Sequence, residues 1–150
     1  MNKKIVFLVE DDKDDVSFSI RAFKKNKSLL KYIIMAYDGM QAEKFLLSED
    51  DLEHKKIQNM PDLIILDLKL PFLGGLEILK KIREGKHTKN IPVVIYTSSD
   101  DPEDLKNSYM LGANSFVKKP EDYEEFIETL KKIVDYWLEI NMTMPYDRAM

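Results

Sequence analysis

Apolar residues along this chain fall into two alternating rhythms. Short aliphatic runs, many of them β-branched, mark Lys4 to Val9, Tyr32 to Ala36, Leu63 to Asp67, Val93 to Tyr96 and Ser115 to Lys118. Between them the spacing changes to three and four residues, the period of an amphipathic helix. Val16, Ile20 and Phe23 form one such stripe, and Met40, Ala42, Phe45 and Leu46 form a second. Leu76, Leu79 and Ile82 make a third, opened by the turn at Gly74-Gly75. A fourth helix is predicted after Asp100-Asp101-Pro102, where aspartate suits the cap and proline the first turn. The fifth stripe is the longest, running from Tyr123 through Phe126, Ile127, Leu130, Ile133 and Val134 to Trp137 and Leu138. Each stripe is expected to face a sheet.

The central strands read as nearly unbroken apolar runs, which is expected of strands covered by helices on both faces. Five strands, each followed by a helix, predict a doubly wound α/β fold, a flavodoxin-like (βα)5 domain with a five-stranded parallel sheet in order 2-1-3-4-5. The polar stretch from Ser48 to Asn59 reads as a helix end and a loop, with Pro61 leading into strand three. The length of 150 residues suits one domain, taken as residues 1–138, with 139–150 as a C-terminal extension.

Composition removes several function classes. There are 23 basic and 27 acidic residues, a net charge of −4, so no basic excess is present for a nucleic-acid face. The absence of cysteine excludes disulfides, thiolate metal sites and a cysteine nucleophile. The apolar run near the start is too short for a signal-peptide core or a membrane span, so a cytoplasmic protein without membrane contact is expected.

The candidate chemistry lies at strand ends. Strand one runs into Glu10-Asp11-Asp12 and strand three into Asp67. In a doubly wound sheet these ends share the edge where ligands bind. Two unit charges about 4 Å apart repel by about 4 kcal/mol at an effective dielectric near 20. A hard divalent cation, Mg²⁺ above all, offsets such repulsion and takes carboxylate, water and phosphate oxygens. Strand four ends in Thr97-Ser98-Ser99 and strand five in Lys118-Lys119-Pro120, adding a hydroxyl and an ammonium. A carboxylate nucleophile, a cation cradle, a hydroxyl and a lysine together suit phosphoryl transfer, where positioning and charge neutralisation do most of the work. Asp67 stands alone on its strand and is the better nucleophile, while Glu10 and Asp11 are the better metal ligands. Asp12 either reaches the metal through water or caps the first helix, and capping is the favoured reading.

The sequence here resembles the receiver domains of bacterial two-component response regulators. The resemblance rests on Val9-Glu10-Asp11-Asp12, on Leu66-Asp67-Leu68-Lys69-Leu70-Pro71 with Gly74-Gly75, on Ile91-Pro92-Val93 leading to Thr97-Ser98, and on Gly112-Ala113-Asn114-Ser115-Phe116 leading to Lys119-Pro120. It covers residues 4 to about 135. It implies that Asp67 is phosphorylated and that Mg²⁺ is held by Glu10, Asp11, Asp67 and the backbone carbonyl of Lys69. It also implies that Thr97 and Lys119 grip the phosphoryl oxygens, that Phe116 is the aromatic switch residue coupled to Thr97, and that the Lys119–Pro120 peptide is cis. Phe116 has no hydroxyl, so its switch would rest on packing alone, and a plain core role is the alternative. Glu10 stands where many relatives carry Asp, and Lys69 sits where the family tunes phosphate lifetime.

The resemblance further implies a sensor histidine kinase as phosphodonor and a downstream protein partner. It is strongest to stand-alone receivers that partner phytochrome-like or hybrid kinases, with a tryptophan and a proline in a short C-terminal extension and a tendency to dimerise. Trp137, Ile140 and Met142 therefore predict a homodimer, against the alternative that Trp137 only closes its own core. Two other functions use the same residues. One is a Mg²⁺-dependent phosphohydrolase with Asp67 as nucleophile, but haloacid-dehalogenase-like enzymes carry an acid two residues later, where this chain has Lys69. The other is a protein-binding module on this fold that is not phosphorylated.

Overall fold

A computed structural model describes residues 2–48 and 60–144, so the greater part of the predicted 48–59 loop, and Pro145, lie outside the described residues. Its strands are β1 (Lys4–Val9), β2 (Leu30–Ala36), β3 (Leu63–Leu66), β4 (Val93–Thr97) and β5 (Ser115–Lys118), all parallel, in the order β2-β1-β3-β4-β5. The helices are α1 (Lys13–Lys25), α2 (Gly39–Leu47), α3 (Gly75–Glu84), α4 (Pro102–Met110) and α5 (Tyr123–Asp135), followed by a π-helical turn over Tyr136–Ile140. The predicted architecture is thus observed. Strand boundaries differ by one or two residues, because β2 begins two residues earlier and the ladder of β3 ends before Asp67.

Alternation along the strands sorts the core into two layers. Val6, Leu8, Leu63, Ile65, Val94 and Tyr96 pack against α1 and α5, while Phe7, Val9, Ile64, Leu66, Val93 and Ile95 pack against α2 and α3. All ten described residues of β3, β4 and the adjoining Ile91 are buried, as a doubly covered sheet requires. Burying a side chain of this size is worth about 1.5–3 kcal/mol, so these two layers hold the molecule together.

Aspartates start four of the helices. Asp12, Asp38, Asp101 and Asp122 each accept a backbone N–H from the first turn that follows, at 2.8 to 3.0 Å. Each cap contributes about 1 kcal/mol. Asp12 therefore acts as the cap of α1. Helix α3 instead starts at Gly74, and Gly75 presses so closely on β3 that an added Cβ would lie 2.3 Å from the Asp67 carbonyl oxygen.

Three stripe assignments change. Ile20, Met40 and Tyr123 are 38, 61 and 46% exposed, although their spacing matched the apolar faces of α1, α2 and α5. On α1 the buried face is Ser19, Ala22 and Phe23, so a serine takes the place expected for isoleucine. Ser19 can be buried because its hydroxyl donates to the Asp15 carbonyl at 2.7 Å. Leu138, within the π-helical turn, is buried in the layer beneath α1 and α5, and Trp137 packs half-buried against it, whereas Tyr136, Ile140, Met142 and Met144 are exposed.

Candidate functional site

Backbone hydrogen bonds carry the sheet one residue past its strands and place the polar groups. The Glu10 N–H donates to the Ala36 carbonyl at 3.0 Å, that of Asp67 to Val9 at 3.1 Å, and that of Lys119 to Thr97 at 2.7 Å. Each residue is therefore held by the same ladder that forms the core, and the period of two turns Glu10, Asp67 and Lys119 toward α1. Glu10, Asp67, Thr97 and Lys119 are all buried, with Thr97 fully so, while Asp11 is exposed at the mouth.

The Lys119 ammonium is the hub. It donates to Glu10 Oε1, to Asp15 Oδ2 at 2.7 Å and to Asp67 Oδ2 at 2.9 Å. The other Asp67 oxygen, Oδ1, accepts from the Leu68 N–H at 2.7 Å. Burial would push the Asp67 carboxyl up, but the Lys119 charge outweighs it, with hydrogen bonds from Glu10, Lys119 and Thr97, and holds the group below its usual range. Glu10 goes the opposite way: burial first, then the negative charge of Asp67, raises it to about 9. Lys119 stays charged, because Asp67 and Glu10 overcome the effect of burial. Burial beside Asp67 thus works against a second negative charge in the crevice, and Lys119 works for it.

Oxygens of Glu10, Asp11 and Asp67 lie within 4.8 Å of one another. Opposite ligands of an octahedral cation at about 2.1 Å stand roughly 4.2 Å apart, inside that bound, and all the donors are hard oxygens, so this set fits Mg²⁺ or Mn²⁺.

The crevice brings together Glu10, Asp11, Asp67, Thr97 and Lys119. Lys69 is exposed, two residues into the loop that begins at Asp67. Lys118 points away and pairs with Asp100 at the surface, as expected of the neighbouring strand position. Phe116 is half-buried against the layer of α2 and α3; it pairs with Ile95 in register, which puts it on the same sheet face as Thr97. One expectation fails: the Lys119–Pro120 bond is trans, as are all described peptide bonds. The trans form is the intrinsically preferred X–Pro isomer, and with it Lys119 already reaches all three carboxylates.

Two features escaped the sequence reading. Asp15 heads the buried face of α1, followed at i+4 and i+7 by Ser19 and Ala22, a signal visible only if a carboxylate is allowed to begin an inward stripe. Phe72, five residues after Asp67, has φ +68° and is 83% exposed. The Leu73 N–H donates to the Pro71 carbonyl at 2.8 Å across it, closing a γ-turn of the strained kind.

The doubly wound sheet thus holds an acid cluster, a hydroxyl and a buried lysine in one crevice at its carboxyl edge. Residues 6–131 match the response regulator receiver domain, and the chain belongs to this family of two-component signalling proteins. It is 33% identical over 142 residues to the response regulator Rcp1 of Synechocystis, covering 95% of this chain and 93% of Rcp1. The structure of the phosphorylated cyanobacterial phytochrome response regulator RcpA superposes with a TM-score of 0.86 at 31% identity, covering 96% of this chain and all of RcpA. The Mn²⁺-bound form of Rcp1 superposes with a TM-score of 0.82 at 31% identity, covering 95% of this chain and 99% of that one. No described helix is long and apolar enough to cross a membrane.

Proposed function

We propose that Asp67 accepts a phosphoryl group from the phosphohistidine of a sensor histidine kinase, and that the resulting change of surface alters binding to a downstream protein. The observation that carries this reading is the convergence of Asp67, Glu10, Asp11, Thr97 and Lys119 in one crevice, with Lys119 2.9 Å from the Asp67 carboxylate. Asp67, ionised at neutral pH, attacks phosphorus through an oxygen while the phosphorus–nitrogen bond breaks toward the leaving imidazole. Lys119 and the Thr97 hydroxyl bind the oxygens of the incoming group. Mg²⁺ at Glu10, Asp11, Asp67 and the Lys69 carbonyl would supply neutralising charge to the carboxylates and the phosphoryl oxygens. As Thr97 turns toward the phosphoryl group it vacates space on its own face of the sheet, and Phe116 fills that space by packing.

The similarity to RcpA supports a phytochrome-like or hybrid kinase as the donor. The exposed Tyr136, Ile140, Met142 and Met144 support a homodimer formed through the C-terminal extension. Sedimentation should show a dimer that Ile140→Asp dissociates.

The phosphoryl reading is tested with acetyl phosphate, with and without Mg²⁺. The chain should be labelled only with Mg²⁺, and Asp67→Asn should not be labelled at all. Equal labelling of that variant, or labelling indifferent to Mg²⁺, would sink the proposal. Hydrolytic turnover of a small phosphate ester would instead favour a phosphohydrolase.

A further inference from the structure

An ammonium has three hydrogens to donate, and in Lys119 each of them meets a carboxylate: Glu10, Asp15 and Asp67. Two of those acceptors, Glu10 and Asp67, belong to the acid cluster suited to a divalent cation, together with Asp11. Cation and ammonium therefore draw on the same two carboxylates. Asp15 lies outside the cluster, on the first turn of α1, and its side chain is about one quarter exposed.

The position of Asp15 is set independently of the crevice. Its N–H donates to the Asp12 cap at 2.9 Å, and its carbonyl accepts from the buried Ser19 hydroxyl at 2.7 Å. The start of a helix also favours a negative side chain. Asp15 thus offers a fixed charged acceptor, within reach of Lys119, that does not take part in holding the cation.

We propose that Asp15 is the positioning residue that receives Lys119 when a divalent cation takes Glu10 and Asp67. Without it, a cation entering the crevice would leave a buried ammonium with no carboxylate partner among the described residues, a costly arrangement in a protein interior. With it, Lys119 shifts its weight onto Asp15, stays beside Asp67 and keeps donors free for the phosphoryl oxygens. This inference rests on the phosphoryl-acceptor reading above, and it deepens that reading by assigning a residue that couples cation entry to the lysine.

The test is Mg²⁺ binding measured by calorimetry on the intact chain, without any phosphodonor. Asp15→Asn should weaken Mg²⁺ about tenfold or more, and Asp15→Glu should restore most of the affinity. Loss of a distant negative charge would also weaken a cation, so Lys119→Met provides the control. In that background Asp15→Asn should change the affinity by no more than about twofold, because coupling through the lysine is gone. An Asp15→Asn chain that binds like wild type overturns the proposal, and so does an effect undiminished in Lys119→Met. A wild-type chain that does not bind Mg²⁺ at millimolar concentration overturns the underlying phosphoryl reading as well, which separates the two failures. Thermal melts of each variant establish that it is folded, and Asp15→Ser, compatible with the first turn of a helix, should reproduce the loss.

Discussion

Each end of the sheet holds a long basic side chain in a nest of acceptors, and the two nests are built differently. At the amino ends of β4 and β5, Arg83 donates to the carbonyls of Gly112 at 2.8 Å, Lys89 at 3.2 Å and Ile91 at 2.8 Å, and to the side chain of Asn114 at 2.8 Å. Asn114 in turn accepts the Val93 N–H at 2.8 Å, so one guanidinium pins two strand starts to α3. At the carboxyl ends, Lys119 is surrounded by carboxylates. Neutral carbonyls are satisfied by one geometry and have nothing to exchange. Carboxylates crowded together are satisfied only in part, and a proton, an ammonium or a metal ion can each neutralise them. The first nest is a staple, and the second is a site.

That contrast can be broken most strongly at Lys119. Replacing it with Met should slow labelling by acetyl phosphate about 100-fold or more, the loss of one preorganised donor being worth about 2.7–4 kcal/mol in the transition state, while the fold persists. The mirror experiment is Arg83→Ala. It should leave Mg²⁺ binding and labelling unchanged but destabilise the chain by about 1–3 kcal/mol in urea titrations, because the part-buried bonds to the Gly112 and Ile91 carbonyls are lost.

Varying pH sharpens the electrostatic half of the comparison, step by step rather than all at once. Glu10 has its carboxyl raised from the ordinary 4.5 to about 9, so between those values the folded chain holds a proton that the unfolded chain has lost. Stability from this group is therefore fully present below about 4.5 and falls as pH rises toward 9, by at most about 1.4 kcal/mol per pH unit. Metal-free melts across that range should show the decline, and Glu10→Gln should flatten it. The smallest effect concerns the loop rather than the charges. Phe72→Asn replaces a bulky residue at positive φ by one that tolerates it better, and a gain of about 0.5–1 kcal/mol is expected, read as a melting temperature some 1–4 °C higher.

Much of this molecule could be read directly along the chain. β1, β5 and the starts of α3, α4 and α5 fall within a residue or so of their predicted places, because unbroken apolar runs and Asp or Gly-Gly signals are local. Glu10, Asp67, Thr97 and Lys119 were legible for a related reason: each ends or directly follows a strand, and a parallel sheet brings such ends to one edge. The misreadings have a shared cause. Ile20, Met40 and Tyr123 match helical spacing, yet spacing alone does not tell which of two adjacent apolar rows meets the sheet. Ser19 won a core position over Ile20 because its hydroxyl can be satisfied within the helix.

Periodicity, and the places where polar residues interrupt it, were enough for the layered α/β fold and for the set of chemical groups at the carboxyl edge, while the strand order came from the rule for doubly wound sheets and the receiver resemblance. Only the tertiary structure decided which carboxylates share the Lys119 ammonium. Asp15 and Lys119 are 104 residues apart, and their 2.7 Å contact depends on the Lys119 side chain reaching over the sheet edge to the first turn of α1. It also decided that the Lys119–Pro120 bond is trans and that Phe72 is held outward at positive φ. Such features depend on packing between distant segments, where a shift of about an ångström separates a hydrogen bond from no interaction at all.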